Sequence, residues 1–310
     1  MASLTITRGY PGSGKTTWAY QQVKTSENTI KAPSRDDLRK AFFDVEGVGN
    51  DVQETLITEL QAKFVRSMLD AGLDTIVDNT HLKYRDAQKW AELAEDLGIA
   101  FACRDFEVDR EVCKERISSR TARGGRAVPF EVVDRMARRN PIDSWKPVVP
   151  RYRLNIEPIE YNPDLPSAYI FDIDGTLALN TSGRSPFDMT RLLGDEPNSD
   201  VTSVFVDLRL QAGELEGWGV ERPQFFVFSG RTDDGRTDTE TWLDAAGIRY
   251  DALHMRKKGD QRKDSVVKLE MFNEHIRDKY NAVVFDDRNQ VVSMWRRLGL
   301  TCFQVAEGDF

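Results

Sequence analysis

Eight residues, Gly9-Tyr10-Pro11-Gly12-Ser13-Gly14-Lys15-Thr16, constrain this chain more than any other segment. They have the spacing G-x-x-x-x-G-K-[ST]. They lie between a segment that reads as a strand, Leu4–Thr7, and one that reads as a helix, Lys15–Lys24. A strand, a glycine-rich turn and a helix in that order aim backbone N–H groups and a helix N-terminus at one point, where they attract phosphate. Lys15 then reaches the outer phosphates and Thr16 offers a hydroxyl to Mg²⁺. The segment predicts a sheet of parallel strands with its ligand at the strand ends.

The rest of the chain repeats that alternation. Thr75–Asp78 and Phe101–Phe106 read as strands. Gln53–Leu69, Asp86–Leu97, Arg110–Ser119 and Phe130–Arg139 read as helices. Between Asn140 and Ser167 the character changes, with Pro141, Pro147, Pro150, Pro158, Pro163 and Pro166 preventing a continuous helix. The pattern then restarts. Strands are expected at Ala168–Asp172, Gln224–Ser229, Ala252–Met255, Ala282–Asp286 and Cys302–Val305. Helices are expected at Val201–Gln211, Thr239–Ala246, Ser265–Lys279 and Gln290–Leu298. A chain of 310 residues exceeds one typical domain. The expectation is α/β throughout in two domains, residues 1–150 and 167–310, joined by a proline-rich linker, residues 151–166.

Within the first half, Asp36 and Arg39 stand three apart, on one face if the segment is helical. A hydroxyl that accepts a phosphoryl group needs a carboxylate to take its proton and a cation to hold the acceptor. Ser34 and Asp37 equally read as a capping box, which would also put Asp36 in the first turn. Asp78 and Asn79, at the end of an apolar strand, could meet Mg²⁺ or the acceptor, or only form a turn. Arg116, Arg120, Arg123 and Arg126 flank Gly124 and Gly125 and suit a lid over a transferring phosphate.

The second half carries a different phosphate chemistry. Tyr169-Ile170-Phe171-Asp172-Ile173-Asp174-Gly175-Thr176 is an apolar strand ending in D-x-D-G-T. Alternate strand residues project to one side, so Asp172 and Asp174 converge. One carboxylate can attack phosphorus while the other protonates the leaving oxygen and later activates water. Two carboxylates facing a phosphate call for Mg²⁺. Ser229 at a strand end can bind a phosphate oxygen. Lys268, with Asp264 four residues before it, can neutralise the phosphorane. Asp286 and Asp287 end another strand as metal ligands.

These motifs resemble two families. Residues 1–150, with PGSGKTTWA and RDDLR, are similar to P-loop polynucleotide kinases. Residues 168–310, with DIDGTLA, GRSPFD, RKDSVVK, DDRNQVVSMWRRLG and VAEGDF, are similar to haloacid-dehalogenase-type phosphatases. The order of the two resembles the phage polynucleotide 5′-kinase/3′-phosphatases of RNA repair. The resemblance implies a parallel-sheet kinase followed by a Rossmann-like phosphatase. ATP would be held by Gly9, Gly12, Ser13, Gly14, Lys15, Thr16 and Thr17. Asp36 would be the general base on a 5′-OH and Arg39 a contact to the acceptor phosphate. Either Arg120 or Arg123 would be the lid arginine. Asp172 would be the nucleophile and Asp174 the acid and base. Arg184, Ser229, Arg231, Asp264, Lys268, Asp286 and Asp287 would complete that site. Mg²⁺ would be bound at Thr16 in the kinase and by Asp172, Asp174, Asp286 and Asp287 in the phosphatase. It also implies RNA or DNA ends as substrates, 2′,3′-cyclic phosphates among them, an RNA ligase as functional partner, and a homotetramer. The alternative is a metabolite kinase fused to a small-molecule phosphatase of the same fold. A third class, an ATP-binding switch or RNA-binding module with decayed sites, sits poorly with intact Lys15, Asp36, Asp172 and Asp174.

Composition adds exclusions. No run of about 18 apolar residues would span a membrane. The first motif begins too early to leave room for a signal peptide. Three cysteines without a C-x-x-C pair suit a reducing compartment, so a cytoplasmic setting is expected. The net charge of −8, taken alone, argues against a nucleic-acid partner. Residues 1–160 are balanced, however, and the whole acidic excess falls in residues 161–310, where five aspartates belong to one predicted metal-dependent site. An enzyme that grips chain ends needs few phosphate contacts, so the balance opposes nothing.

Overall fold

A computed structural model of the protein describes residues 2–44, 47–181, 183 and 188–308. It divides into two units, residues 1–151 and 152–310.

In the first unit, four parallel strands run in the order β2-β3-β1-β4: β1 Ser3–Arg8, β2 Thr29–Lys31, β3 Asp74–Val77 and β4 Ala100–Asp105. The helices are α1 Lys15–Thr25, α2 Arg35–Phe43, α3 Asp51–Asp70, α4 Tyr84–Leu97, α5 Arg110–Thr121 and α6 Phe130–Arg139. Strand β1 is paired on both sides and alternates: Leu4 and Ile6 are fully buried on one face, with Val77, Ala87 and Ala91 in the same cluster, while Ser3, Thr5 and Thr7 alternate with them. Its central place puts the glycine-rich turn at the middle of the sheet's C-terminal edge. Strand β2 escaped the sequence pattern. Its three residues, one of them Lys31, are too few to show a period.

Helix α2 starts on the capping box. The Asp37 N–H donates to Ser34 Oγ at 3.1 Å and the Ser34 N–H to Asp37 Oδ2 at 2.9 Å. Asp36 therefore lies in the first turn. Helix α3 starts the same way, on Asn50 and Gln53.

In the second unit, five parallel strands run in the order β11-β10-β5-β8-β9: β5 Ser167–Asp172, β8 Gln224–Thr232, β9 Ala252–Arg256, β10 Asn281–Arg288 and β11 Thr301–Gly308. A two-stranded antiparallel pair, β6 Ala178–Leu179 with β7 Glu196–Pro197, follows β5. Helices α7 Ser199–Gly217, α8 Arg236–Ala245, α9 Asp264–His275 and α10 Asn289–Arg297 complete the unit. Alternate residues of β5 feed opposite faces: Ile170 joins Phe228, Phe272 and Trp295, while Phe171 joins Phe205, Phe225 and Phe285. The register shifts in β8 between Ser229 and Thr232, and in β10 between Asp286 and Arg288. These irregularities coincide with the residues singled out for chemistry, as bulges beside active sites do.

The proline-rich stretch 152–166 packs onto the second unit. Leu154 is buried in that core, and the Ile159 N–H donates to Leu298 O at 2.8 Å. A Cβ on Gly299 would lie 2.7 Å from the Ile159 carbonyl oxygen. No helix among the described residues is long and apolar enough to cross a membrane.

Phe171 stacks on Phe285 with ring centroids 4.3 Å apart and meets Phe205 edge-on at 4.8 Å. Phe171→Ala is expected to destabilise the second unit by about 3–5 kcal/mol through transfer and cavity terms. Urea unfolding followed by tryptophan fluorescence measures the loss.

Candidate active sites

The first site forms at the turn after β1. Gly12 has a φ of +84°, and a Cβ there would sit 2.5 Å from the Cys113 carbonyl oxygen, so the loop closes against α5 only with glycine. Gly14, at φ +101°, leads directly into α1. Lys15 is buried, and its Nζ donates to Gly9 O at 3.0 Å and Tyr10 O at 2.8 Å. Burial pulls its pKa down to about 8, against the pull of the Asp78 charge in the other direction. Arg116 Nη1 donates to Ser13 O at 3.3 Å, tying α5 to the loop. Thr16 and Thr17 are exposed at the start of α1. A concave loop with a buried ammonium group fits a polyphosphate.

Asp78 and Asn79 diverge in role. Asp78 is buried on the Lys15 side and accepts from Thr7 Oγ1 at 3.3 Å. Asn79 instead anchors α2: its Oδ1 accepts the Arg35 N–H at 3.2 Å and its Nδ2 donates to Gln61 Oε1 at 2.8 Å.

Asp36 is half-exposed, and Arg39 Nη1 donates to its Oδ1 at 2.7 Å. Arg39 is aimed by a residue that the sequence reading missed. Glu54, on α3, accepts Arg39 Nε at 2.6 Å and Nη2 at 2.7 Å, and also Arg35 Nη2 at 2.6 Å and the Gly49 N–H at 2.9 Å. The Arg39 hydrogen bonds hold the Glu54 carboxyl down at about 2. Nothing marks Glu54 in the sequence, where it is one acidic residue on a long amphipathic helix.

The arginine loop separates its members. Arg120 Nε donates to Arg126 O, and the Arg120 charge acts on Lys15. Arg123 turns back onto its own helix, donating from Nε to Ser119 O at 3.1 Å. Arg126 reaches Asp36 Oδ2.

The second site lies at the C-terminal ends of β5, β8 and β10. Asp172, Asp286 and Asp287 are buried, with carboxylate oxygens within 4.8 Å of one another. Lys268 Nζ stands 2.7 Å from Asp172 Oδ1, 2.9 Å from Asp286 Oδ2 and 3.3 Å from Asp264 Oδ2. Burial works against the Lys268 charge, but the carboxylates outweigh it and hold the pKa well above the usual lysine range. Burial drives Asp172 the same way, well above the usual carboxylate range, opposed by Lys268 and reinforced by Asp286 and Asp287. Burial and the neighbouring Asp286 push Asp287 up to about 6. Three carboxylates against one ammonium leave an excess of negative charge. An all-oxygen donor set with that excess fits a hard divalent cation. Gly175, at φ +90°, lets the loop close on the cluster: a Cβ there would lie 2.1 Å from Asp287 Oδ2.

Asp174 also carried an expectation as a metal ligand, but the carboxylates gathered here are those of Asp172, Asp286 and Asp287. Arg231 takes the Asp174 carboxylate bidentately, Nε at 2.9 Å and Nη2 at 2.8 Å. Arg231 is itself buried and held by Asp195, whose Oδ2 accepts Nη2 at 2.8 Å. Asp195 follows a short 3₁₀ segment, Met189–Gly194, and no periodicity points to it. Ser229 Oγ accepts the Arg231 N–H at 3.1 Å. Asp264 sits among Lys268, Arg256 and Arg288, which outweigh its burial and lower its pKa. Arg184 lies outside the described residues.

Comparisons with known proteins agree in sequence. Residues 166–310 match the family model of the polynucleotide kinase PNKP phosphatase domain, and residues 4–141 match an AAA domain model. A protein of Autographa californica nuclear polyhedrosis virus, whose name assigns it polynucleotide kinase and RNA ligase activities, is 28% identical over 317 residues. The match covers 97% of this chain and 42% of the viral protein. The chain thus spans about two fifths of the length of that curated relative. Two solved structures of a Pnkp1/Rnl/Hen1 complex, one described as an RNA repair complex, contain a chain 31% identical to this one. They cover all of it and 97% or 98% of their own chain, with a TM-score of 0.46.

Two predictions follow from this geometry. Gly175→Ala should remove activity at the Asp172 site, because a Cβ cannot share space with Asp287; product release assays test it. His81 is buried, its Nδ1 2.8 Å from Thr7 O, and burial lowers its pKa to about 4. The unfolded chain takes up that proton near pH 6.5, so stability should fall as pH drops from about 6.5 to about 4, by at most about 3 kcal/mol. His81→Asn tolerates the left-handed backbone at this position, φ +41°, and should flatten that slope in urea titrations at pH 7.5 and pH 5.

Proposed function

Through residues 166–310 the chain belongs to the family of the polynucleotide kinase PNKP phosphatase domain, and we propose that it heals nucleic-acid ends with two activities. Residues 1–150 transfer the γ-phosphate of ATP to a 5′-OH end. Residues 167–310 remove 3′-phosphates, 2′,3′-cyclic ends included. The reading is carried by one pairing on a single chain: a P-loop with the Asp36–Arg39 pair beyond it, and a buried Asp172 set against Lys268, Asp286 and Asp287.

In the kinase, the loop amides and Lys15 hold the phosphates of ATP, and Thr16 offers its hydroxyl to Mg²⁺. Asp36 takes the proton of the 5′-OH as its oxygen bonds to the γ-phosphorus and the bond to ADP breaks. Arg39, fixed by Glu54, holds the acceptor phosphate. The lid arginine is Arg120 or Arg123, each of which donates its Nε to a backbone carbonyl, of Arg126 and Ser119 respectively.

In the phosphatase, Asp172 attacks phosphorus and forms an acyl-phosphate. Asp174, oriented by Arg231, gives a proton to the leaving 3′-oxygen. It then takes one from the water that attacks phosphorus and regenerates Asp172. Ser229 and Lys268 hold the phosphate oxygens. Asp172, Asp286 and Asp287 would hold Mg²⁺, which would supply the charge compensation an anionic carboxylate needs to approach an anionic phosphate. The products, a 5′-phosphate and a 3′-OH, are the ends an RNA ligase joins, and the viral relative's name sets a ligase beside a polynucleotide kinase. An RNA ligase is accordingly the proposed functional partner.

An oligonucleotide with a 5′-OH and a 3′-phosphate, incubated with ATP and Mg²⁺, tests both halves. The wild-type chain should phosphorylate one end and dephosphorylate the other. Asp172→Asn should lose at least ~10³-fold in 3′-dephosphorylation while the kinase rate holds, and Lys15→Ala should do the reverse. A wild-type chain that leaves the 5′ end untouched would sink the kinase half. A mononucleoside phosphorylated as well as the oligonucleotide would move the reading to a metabolite kinase.

A further inference from the structure

The turn after α5 is built around one side chain. The Gly124 N–H donates to Thr121 O at 2.9 Å and the Gly125 N–H to Arg120 O at 3.0 Å. Gly125 has no room for a Cβ, which would fall 2.5 Å from Arg120 Cγ. Across that gap Arg120 Nε donates to Arg126 O at 2.9 Å. The backbone of Arg126 is thereby fixed, and its guanidinium ends on Asp36 Oδ2. With Arg39 on Oδ1, both oxygens of Asp36 carry a cation.

The two arginines differ in freedom. Arg39 is 8% exposed, and Glu54 holds its Nε and Nη2, which leaves Nη1 for Asp36. The Arg126 side chain is 40% exposed, and its ion-pair partner among the described residues is Asp36. A carboxylate that takes a hydroxyl proton must turn an oxygen to that hydroxyl. Displacing one guanidinium clears that oxygen for the hydroxyl, and Arg39 is pinned.

We propose that Arg126 is an acceptor-gated latch. It caps Asp36 in the free enzyme and exchanges that carboxylate for a phosphate oxygen of the incoming 5′-OH nucleic-acid end. Oδ2 is then free to receive the hydroxyl proton. The exchange swaps one charge-assisted pair for another, and the guanidinium fork matches either oxyanion. An acceptor without a phosphate leaves the latch closed, so Arg126 sets a preference for nucleotides over nucleosides. The latch rests on the reading of Asp36 as the kinase base.

Steady-state kinetics of the full chain test it, with ATP and a 5′-OH oligonucleotide varied separately and a 5′-OH nucleoside as a second acceptor. Arg126→Ala should raise the KM for the oligonucleotide by ~10-fold or more and leave the KM for ATP within about twofold. The preference for oligonucleotide over nucleoside should fall by a similar factor. Arg126→Lys, which keeps the charge without the fork, should recover part of the loss. A raised KM for ATP with an unchanged oligonucleotide KM would place Arg126 on the donor and overturn the latch. Equal losses on both acceptors, or no change on either, would overturn it as well. A wild-type chain that phosphorylates no oligonucleotide removes the kinase reading and the latch together. An active wild type matched by Arg126→Ala removes the latch alone.

Discussion

Lys268 lies fully buried among Asp172, Asp264 and Asp286, and the second unit is organised by that charge balance. Burying carboxylates this close together is costly unless a cation and hydrogen bonds offset it. The ammonium group offsets part of the charge and leaves a remainder that suits a divalent cation and a phosphate. The irregular ends of β8 and β10, the glycine facing Asp287 and the Trp295 Nε1 donor 3.3 Å from Asp286 Oδ2 all serve to bring these groups within reach of one another. The aromatic layers beneath the sheet hold the strand ends rigid enough for the arrangement to persist.

The first unit meets the same requirement at lower charge density. Its anion site uses backbone amides, a helix N-terminus and Lys15, while its acceptor side uses an alternating chain of charges: Glu54, Arg39, Asp36 and Arg126. Each member is oriented by the one before it. Glu54 receives two arginines and a backbone N–H, so it is the fixed end of that chain. Arg126, at the other end, sits on a turn that glycine makes possible. In the proposed kinase, rigidity at one end and freedom at the other allow a proton acceptor to be held ready yet covered.

Where local chemistry dictates structure, the elements were legible in advance. The P-loop, the capping box at Ser34, helix α6 and the five strands of the second sheet all follow from glycine placement, capping or apolar runs. The short strand β2 and the small β6–β7 pair were not, because two or three residues show no period. The site divides along the same line. Asp36, Asp172, Asp286 and Asp287 stand at strand or helix ends where motifs announce them, and Arg39 and Lys268 lie about one helical turn beyond a motif aspartate. Glu54 and Asp195 act through arginines that are distant in the chain, and no spacing encodes such a partner.

Sequence by itself determined that two α/β units, each carrying a phosphate-site motif, occur on this chain, since both motifs are local runs whose backbone and side-chain requirements are written in consecutive residues. Only the tertiary structure decided which groups touch. It paired the Asp174 carboxylate with Arg231, committed Asn79 to the start of α2, and set Arg126 rather than Arg123 on Asp36. The reason is physical. A charged side chain takes its role from the nearest opposite charge and the degree of burial, and both are set by parts of the chain brought together only on folding.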